Sequence, residues 1–203
     1  MYITSCLSAH VGIDIGSTTV KIVVLDSSKK IIYSCYQRHM SNVRSSMAHL
    51  LKKAVESGAV TAGSFTMSIT GSGAISLSHE LGIAFVQEVI ACAASIHHFH
   101  DDIDVAIELG GEDAKITFFT GGTEQRMNET CAGGTGAFID QMATFLRTDA
   151  SGLNALAAKA KTIYPIASRC GVFAKSDVLP LLNEGCARED IAASIFQAVV
   201  NQT

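Results

Sequence analysis

The sequence contains no tryptophan, two prolines and no long run of apolar residues. No stretch approaches the roughly eighteen consecutive apolar residues that a membrane helix needs, which argues against a membrane-spanning protein. Residues 1–10 have no basic region ahead of an apolar segment, which argues against a secretory signal. From these absences we expect a cytoplasmic protein.

Runs of lysine or arginine are also missing, and the formal net charge is −4. A mildly acidic chain with scattered basic residues is a poor partner for nucleic acid or an anionic membrane surface. Hydrophobic residues make up 48% of the chain and charged residues 17%, which is typical of a globular domain. Any anion site must therefore use backbone N–H groups and a few side chains.

None of the six cysteines forms a C-x-x-C pair. In a reducing cytosol they are not a disulfide framework. Cysteine is often buried as a small apolar side chain, and four of the six are interpreted in that way: Cys6, Cys35, Cys92 and Cys186. The other two each precede a predicted helix and are considered below.

The predicted secondary structure repeats, since three strands joined by short turns and followed by a helix occur twice. The strands are predicted at 11–14, 20–25 and 31–37, then at 103–109, 114–119 and 123–128. Helices are predicted at 43–56 and 137–146 after the two sets, with a strand at 65–69 and further helices at 88–99, 152–160, 171–183 and 188–200. The fold class is therefore α/β, in two halves that bind a ligand in the cleft between them.

The halves are predicted to cover residues 1–102 and 103–203. After its meander the second half contains helices but no later strand to complete the sheet. We therefore expect the second half to be incomplete and the chain to be part of a longer protein.

The first chemical motif is the segment Asp14-Ile-Gly-Ser-Thr-Thr-Val-Lys21 between two apolar strands. Gly16 lets a ligand approach the backbone, and the N–H groups that follow can converge on a phosphate. Hydroxyl donors come from Ser17, Thr18 and Thr19, and Asp14 is placed to hold Mg²⁺ through water. The alternative is a plain hairpin with a Gly-Ser turn. The strand at 65–69 ends near Gly71 and Gly73, which we include among the phosphate-binding residues.

The second motif, Glu108-Leu-Gly-Gly-Glu-Asp113, lies at the same place in the second repeat. Gly110 and Gly111 form its turn, and Glu108 or Glu112 could orient an attacking water or a metal ion. A solvated turn is the alternative for these carboxylates. Two turns of the phosphate-binding kind at equivalent positions favour the functional interpretation.

On these motifs the chain resembles the actin, hexokinase and Hsp70-type ATPases. It resembles most the activators of 2-hydroxyacyl-CoA dehydratases and the ATPase subunits of benzoyl-CoA reductase. The matching segments are 11–21, 108–115, 128–138 and 170–177, which together run through most of the chain. At the positions where the short activators carry Asp and Gln, this chain has Glu108 and Glu112. In this respect it resembles the long activase proteins more than the short ones. The resemblance implies two RNase H-like (actin-like ATPase) halves, the second truncated.

Cys131 and Cys170 each precede a predicted helix, whose N-terminal dipole favours a thiolate. The resemblance implies that both ligate one [4Fe–4S] cluster shared across a homodimer, because such a cluster takes four cysteines. Gly133 and Gly134 belong to the same segment and are grouped with the nucleotide-binding residues. From the residues alone, two unrelated buried cysteines remain the alternative.

The resemblance implies an ATPase with Mg-ATP as its nucleotide. The resemblance also implies its output, which is one electron passed to a 2-hydroxyacyl-CoA dehydratase or a similar reductase component. The adenine-binding glycine segment of this superfamily comes late in the second half, and no Gly-Gly-x-Ala motif follows residue 177. We therefore expect weak nucleotide affinity and little hydrolysis.

Two other functions fit part of the pattern. A small-molecule kinase of the same superfamily would share the phosphate loops but would leave Cys131 and Cys170 unexplained. A nucleotide-gated regulatory or docking module would use the cysteines structurally. His97, His98 and His100 could suggest a metal site, but a solvated or capping role at a helix end is favoured.

Overall fold

The computed structural model describes residues 9–61, 65–127, 135–168 and 170–202. The chain forms two compact units, Met1–Asp102 and Ile103–Thr203. Cys6, Cys131, Gly133 and Gly134 lie outside the described residues. Among the helices that the structure describes, none is long and apolar enough to cross a membrane.

The first unit is built on a five-stranded sheet of order β3-β2-β1-β4-β5, in which β1 is antiparallel to β2 and parallel to β4. Its elements are β1 (Ala9–Ile15), β2 (Thr19–Leu25), β3 (Ile31–Arg38), α1 (Val43–Glu56), β4 (Phe65–Thr70), α2 (Ile75–Leu81), β5 (Ala84–Phe85) and α3 (Glu88–Phe99).

Alternating residues of β1 and β2 form the core of this unit. Val11, Ile13 and Ile15 are buried on one face of β1, and β2 supplies Val20, Ile22 and Val24 to the same cluster. Helix α1 covers them with Met47, Leu50 and Ala54, whose three- and four-residue spacing places them on one side of the helix. The turn between β1 and β2 therefore connects two strands that are packed into the core.

The second unit repeats the antiparallel meander as a three-stranded sheet of order β6-β7-β8. Its elements are β6 (Val105–Leu109), β7 (Ala114–Phe118), β8 (Glu124–Met127), α4 (Gly136–Phe145), α5 (Ala150–Ala157), α6 (Gly171–Asn183) and α7 (Arg188–Gln202). A separate core lies among the helices, where Met142, Leu153, Ile191 and Ile195 are fully buried. Each unit thus has its own apolar core.

The α/β fold class is confirmed, and helices α1 and α3 have the bounds that their periodicity predicts. Two elements, α2 and β5, were not predicted. Helix α2 has seven residues and no side-chain cap at Ala74, so it carries little local signal. Strand β5 is two residues long and exists because Ala84 pairs with Ser68 of β4, which is a tertiary contact.

Candidate functional site

The turn between β1 and β2 is closed by a hydrogen bond from the Gly16 N–H to the Thr19 carbonyl, at 2.9 Å. A Cβ built on Gly16 would meet only ordinary contacts, 3.6 Å and 3.7 Å from atoms of Thr19. The packing of the protein itself therefore does not require glycine here, whereas a ligand that approaches the backbone would. The N–H groups of Ser17 and Thr18 make no hydrogen bond within the described part of the chain.

Asp14 and Lys21 face each other across this turn. They are cross-strand partners, and the Lys21 Nζ lies 2.5 Å from Asp14 Oδ2. Both side chains are about one-third exposed, so the pair contributes little to stability, in the range of about 0–1 kcal/mol. Its effect is to fix the direction of the Asp14 carboxylate at the end of β1.

The end of β4 reaches the same turn. The Gly73 N–H donates to the Ile15 carbonyl at 2.9 Å. Gly71 has a φ of +98°, and a Cβ there would overlap the Ile15 carbonyl oxygen and Asp14 Oδ1. Glycine at position 71 therefore keeps room for the Asp14 carboxylate.

Thr70 lies beside Asp14 and was not among the candidate residues taken from the sequence. It pairs with Asp14 across the parallel strands β1 and β4, and side chains at paired positions share a face of the sheet. Its Oγ1 is buried without a hydrogen-bond partner among the described residues. Such a hydroxyl can bond a ligand or a water molecule. In the sequence, only its position directly before Gly71 indicates that Thr70 could belong to the candidate site.

The turn between β6 and β7 is built in the same way. The Gly110 N–H donates to the Asp113 carbonyl at 2.7 Å, and Glu108 is the cross-strand partner of Lys115. The first residues of α4 rest on this turn, because the Gly136 N–H donates to the Gly110 carbonyl at 2.8 Å. Glu108 is half-buried, whereas the Glu112 side chain is exposed.

Cys170 is the N-cap residue of α6, as its position before Gly171 predicts. The next two side chains, Val172 and Phe173, are 68% and 65% exposed. A helix N-terminus carries a partial positive charge that favours a thiolate. Cys170 therefore begins a 13-residue helix and lies beside an exposed apolar surface.

Residues 161–168, here called the α5–α6 segment, precede Cys170 in the chain and have no regular secondary structure. Side chains of α6 and α7 hold this segment. Asp190 accepts from the N–H groups of Lys161 and Thr162, at 2.7 Å and 3.1 Å. Ser194 Oγ accepts from the Tyr164 N–H, and Asp177 accepts from the Ala167 N–H, both at 2.8 Å.

The Asp190 pKa is lowered by these bonds, first by the N–H of Lys161 and then by that of Thr162. A backbone N–H that donates to the ionised carboxylate stabilises the charged form. The ionised carboxylate of Asp190 therefore holds the α5–α6 segment through charge-assisted hydrogen bonds.

The other described cysteines, which the sequence predicts to be buried, are half-buried. Cys35 packs against the first core, and Cys186 packs against the second. The pKa of Tyr33 is raised by burial and then by its neighbour Cys35, and that of Tyr164 is raised by its hydrogen bond with Cys186 and then by burial. These contacts suit packing roles. His97, His98 and His100 are exposed around the end of α3.

Comparison with solved structures identifies the class. The chain aligns with the crystal structure of the Acidaminococcus fermentans (R)-2-hydroxyglutaryl-CoA dehydratase component A at a TM-score of 0.86 and 31% identity, covering 96% of this chain and 76% of that one. The activator of the 2-hydroxyisocaproyl-CoA dehydratase from Clostridium difficile, with bound ADPNP, aligns at 0.84 and 27% identity, covering 97% and 73%. The fold is that of the actin-like ATPase activators.

The chain belongs to the BadF/BadG/BcrA/BcrD ATPase family, whose model matches residues 11–203. It is 33% identical to the (R)-2-hydroxyglutaryl-CoA dehydratase activating ATPase of Acidaminococcus fermentans, over 94% of this chain and 74% of that protein. The resemblance inferred from the sequence motifs is thereby confirmed.

Proposed function

We propose that this chain is an ATP-dependent activator of a 2-hydroxyacyl-CoA dehydratase-type enzyme, in which Mg-ATP hydrolysis is coupled to one-electron transfer from a [4Fe–4S] cluster. The similarity to two proteins described as dehydratase activators supports the activator role. ADPNP bound to the relative from Clostridium difficile supports ATP as the nucleotide. The partner would be the dehydratase or a similar reductase component, met in the cytoplasm.

The observation that carries the proposal is the equivalence of the two turns. A carboxylate stands two residues before the turn glycine and a lysine five residues after it, at Asp14, Gly16 and Lys21 and again at Glu108, Gly110 and Lys115. In both turns the glycine N–H donates to the carbonyl three residues later. Such turns present backbone N–H groups to phosphate oxygens. Turns of this kind suit the phosphates of a nucleoside triphosphate.

The proposed nucleotide contacts combine these turns with the glycine motifs of the sequence. In the first unit they are Gly16, Ser17, Thr18, Thr19, Lys21, Gly71 and Gly73, and in the second they are Gly110, Gly111, Gly133 and Gly134. Asp14 would hold Mg²⁺ through water, since Mg²⁺ keeps most of its hydration shell. Glu108 or Glu112 would orient the attacking water.

Thiolates are the usual ligands of an iron–sulfur cluster, and the position of Cys170 at a helix N-terminus fits that role. Cys131 would be the second ligand from each chain, so two chains of a homodimer would provide four. The exposed Val172 and Phe173 give apolar surface beside Cys170 for such a contact. When bound, the cluster would supply a one-electron donor.

Iron and sulfide analysis after anaerobic reconstitution tests the cluster. We expect about two irons per chain, because two chains share four. Cys170→Ser should abolish the bound iron and shift the protein from dimer to monomer. Cys186→Ser, which changes a cysteine packed against the second core, should retain both. Equal iron content in the two variants would refute the assignment of Cys170.

The nucleotide role is tested separately by ADPNP titration up to millimolar concentration and by phosphate release. Asp14→Asn should lose the Mg²⁺-dependent part of ADPNP binding and any phosphate release, because the metal loses its carboxylate. Asp101→Asn, which changes an exposed carboxylate at the end of the first unit, is the matched control. A cluster-free protein that binds ADPNP would instead favour a regulatory module.

A further inference from the structure

His39 lies between β3 and α1 and is 8% exposed. The structure describes all seven histidines of the chain, and the other six are half-buried or exposed. A buried imidazole is polar at both nitrogens and needs hydrogen-bond partners for them. The partners of His39 determine what the side chain does.

The ring of His39 bonds on both sides. Its Nδ1 accepts from the Ser41 N–H at 3.1 Å, so Nδ1 carries no proton. In a neutral imidazole the proton then sits on Nε2, which lies 3.3 Å from the Gly16 carbonyl oxygen and donates to it. The tautomer follows from the backbone donor at Ser41.

The backbone of His39 holds the same turn. Its N–H donates to the Thr18 carbonyl at 3.2 Å, and its carbonyl accepts from the N–H of Asn42 at 2.7 Å. Asn42 is the N-cap residue of α1. His39 therefore links two carbonyls of the β1–β2 turn to the start of a helix that packs on the core.

Because the Gly16 carbonyl is held in place, the direction of the Ser17 N–H in the same peptide is also determined. In a trans peptide the C=O and the following N–H point in opposite directions. With its oxygen held by His39, the Gly16–Ser17 peptide directs the Ser17 N–H away from His39. That N–H makes no hydrogen bond within the described part of the chain and is available to an anion.

Backbone strain accompanies this arrangement. Met40 and Ser41 have φ values of +46° and +63°, in the left-handed region. Non-glycine residues there cost of order 1–3 kcal/mol each and persist where surrounding contacts require them. Met40 is 82% exposed, so burial of its side chain does not account for the conformation. The strained pair brings the Ser41 N–H onto His39 Nδ1.

We propose that His39 is the positioning residue of the β1–β2 turn, and that its Nε2–H orients the Gly16–Ser17 peptide so that the Ser17 N–H faces a phosphate group. The inference rests on the proposed function, because phosphate binding by this turn is part of that proposal. His39 touches no reacting atom and acts through the turn.

Two substitutions at position 39 test the contributions of the two ring nitrogens separately. Gln at position 39 can place an amide N–H near the position of Nε2 and keep the donor to Gly16. Asn at position 39 can keep an acceptor near Nδ1 for Ser41 but has no donor that reaches Gly16. His49→Asn, on the exposed side of α1, controls for loss of a histidine.

Amide hydrogen exchange without ligand is the first readout. We expect His39→Asn to raise exchange of the Gly16 amide about tenfold, because one hydrogen bond is lost and the turn loosens. His39→Gln and His49→Asn should stay within about threefold of the unmodified protein. Equal exchange in both position-39 variants, whether raised or unchanged, would overturn the inference.

ADPNP titration follows on the same proteins. His39→Asn should weaken ADPNP binding about tenfold, because the phosphates meet the turn, whereas His39→Gln and His49→Asn should leave it unchanged. Equal weakening by His39→Asn and His39→Gln would contradict a phosphate-orienting role of the Nε2–H. If the unmodified protein binds no ADPNP, the proposed function fails, while hydrogen exchange still decides whether His39 holds the turn.

A third readout needs no variant. Nitrogen-15 NMR of the unmodified protein near neutral pH should show His39 as the Nε2–H tautomer. A proton on Nδ1 instead would exclude the donor to Gly16 and overturn the inference even if both variants failed to fold.

Discussion

At the scale of single residues, the surroundings of the β1–β2 turn depend on two positions that have no side chain, Gly16 and Gly71. Gly71 has no side chain where one would overlap Asp14 Oδ1, and Gly16 leaves space above the turn. Positions 16 and 71 require glycine for different reasons. For Gly71 the reason is inside the protein, whereas for Gly16 it is the ligand that we propose.

Gly71→Ala should therefore destabilise the protein more than a positive φ alone explains. Gly58→Ala is the matched control, because Gly58 has a φ of +78° and no atom within 4 Å of a built Cβ. We expect about 1–2 kcal/mol for the control from its backbone conformation. Gly71→Ala should cost about 1–3 kcal/mol more, from overpacking. Chemical denaturation measures both, and equal losses would show that Asp14 and the Ile15 carbonyl move aside freely.

At the scale of elements, the α5–α6 segment shows how an irregular stretch is held. Its backbone N–H groups donate to side chains of α6 and α7, with Asp190 accepting two of them. The segment leads to Cys170 at the start of α6. Helices α6 and α7 therefore support the approach to the proposed cluster ligand through hydrogen bonds.

The lowered pKa of Asp190 predicts a pH dependence of stability. A carboxylate with a folded pKa below its unfolded value of 3.8 contributes stability that is fully present above that value. The contribution is lost as the pH falls below 3.8 and through the folded pKa. Denaturation between pH 7 and pH 2 should show this loss, and Asp190→Asn should flatten that part of the profile. Glu189→Gln, on the same helix, is the control for loss of a carboxylate from α7.

At the scale of the whole molecule, the two units have separate apolar cores. One core lies between the first sheet and α1, and the other lies among α4, α5, α6 and α7. The two clusters have no residue in common. Each unit therefore has its own source of hydrophobic stabilisation.

Reciprocal core substitutions test this separation. Leu50 and Leu153 are 1% and 0% exposed in the first and second cores. Leu50→Ala and Leu153→Ala should each cost about 2–5 kcal/mol in the affected unit. Amide hydrogen exchange should accelerate in β1, β2 and α1 for the first variant and in α4, α5 and α7 for the second. Acceleration in both units from either change would mean that the units unfold as one.

The sequence by itself determined the repeated meander, the positions of the two turns, most helices and the family. Strand alternation, helical spacing and glycine turns are local patterns, and local patterns can be read from neighbouring residues. It also indicated that Cys170 begins a helix. It did not determine α2 and β5, whose short lengths carry little pattern.

Only the tertiary structure decided which distant groups meet. His39 reaches Gly16 across 23 positions, and Asp190 reaches Lys161 across 29. Thr70 comes beside Asp14 because β4 pairs with β1 in one register. Contacts of this kind depend on how strands and helices pack, and no spacing along the chain encodes them. The sequence therefore located the turns, and the packing decided what supports them.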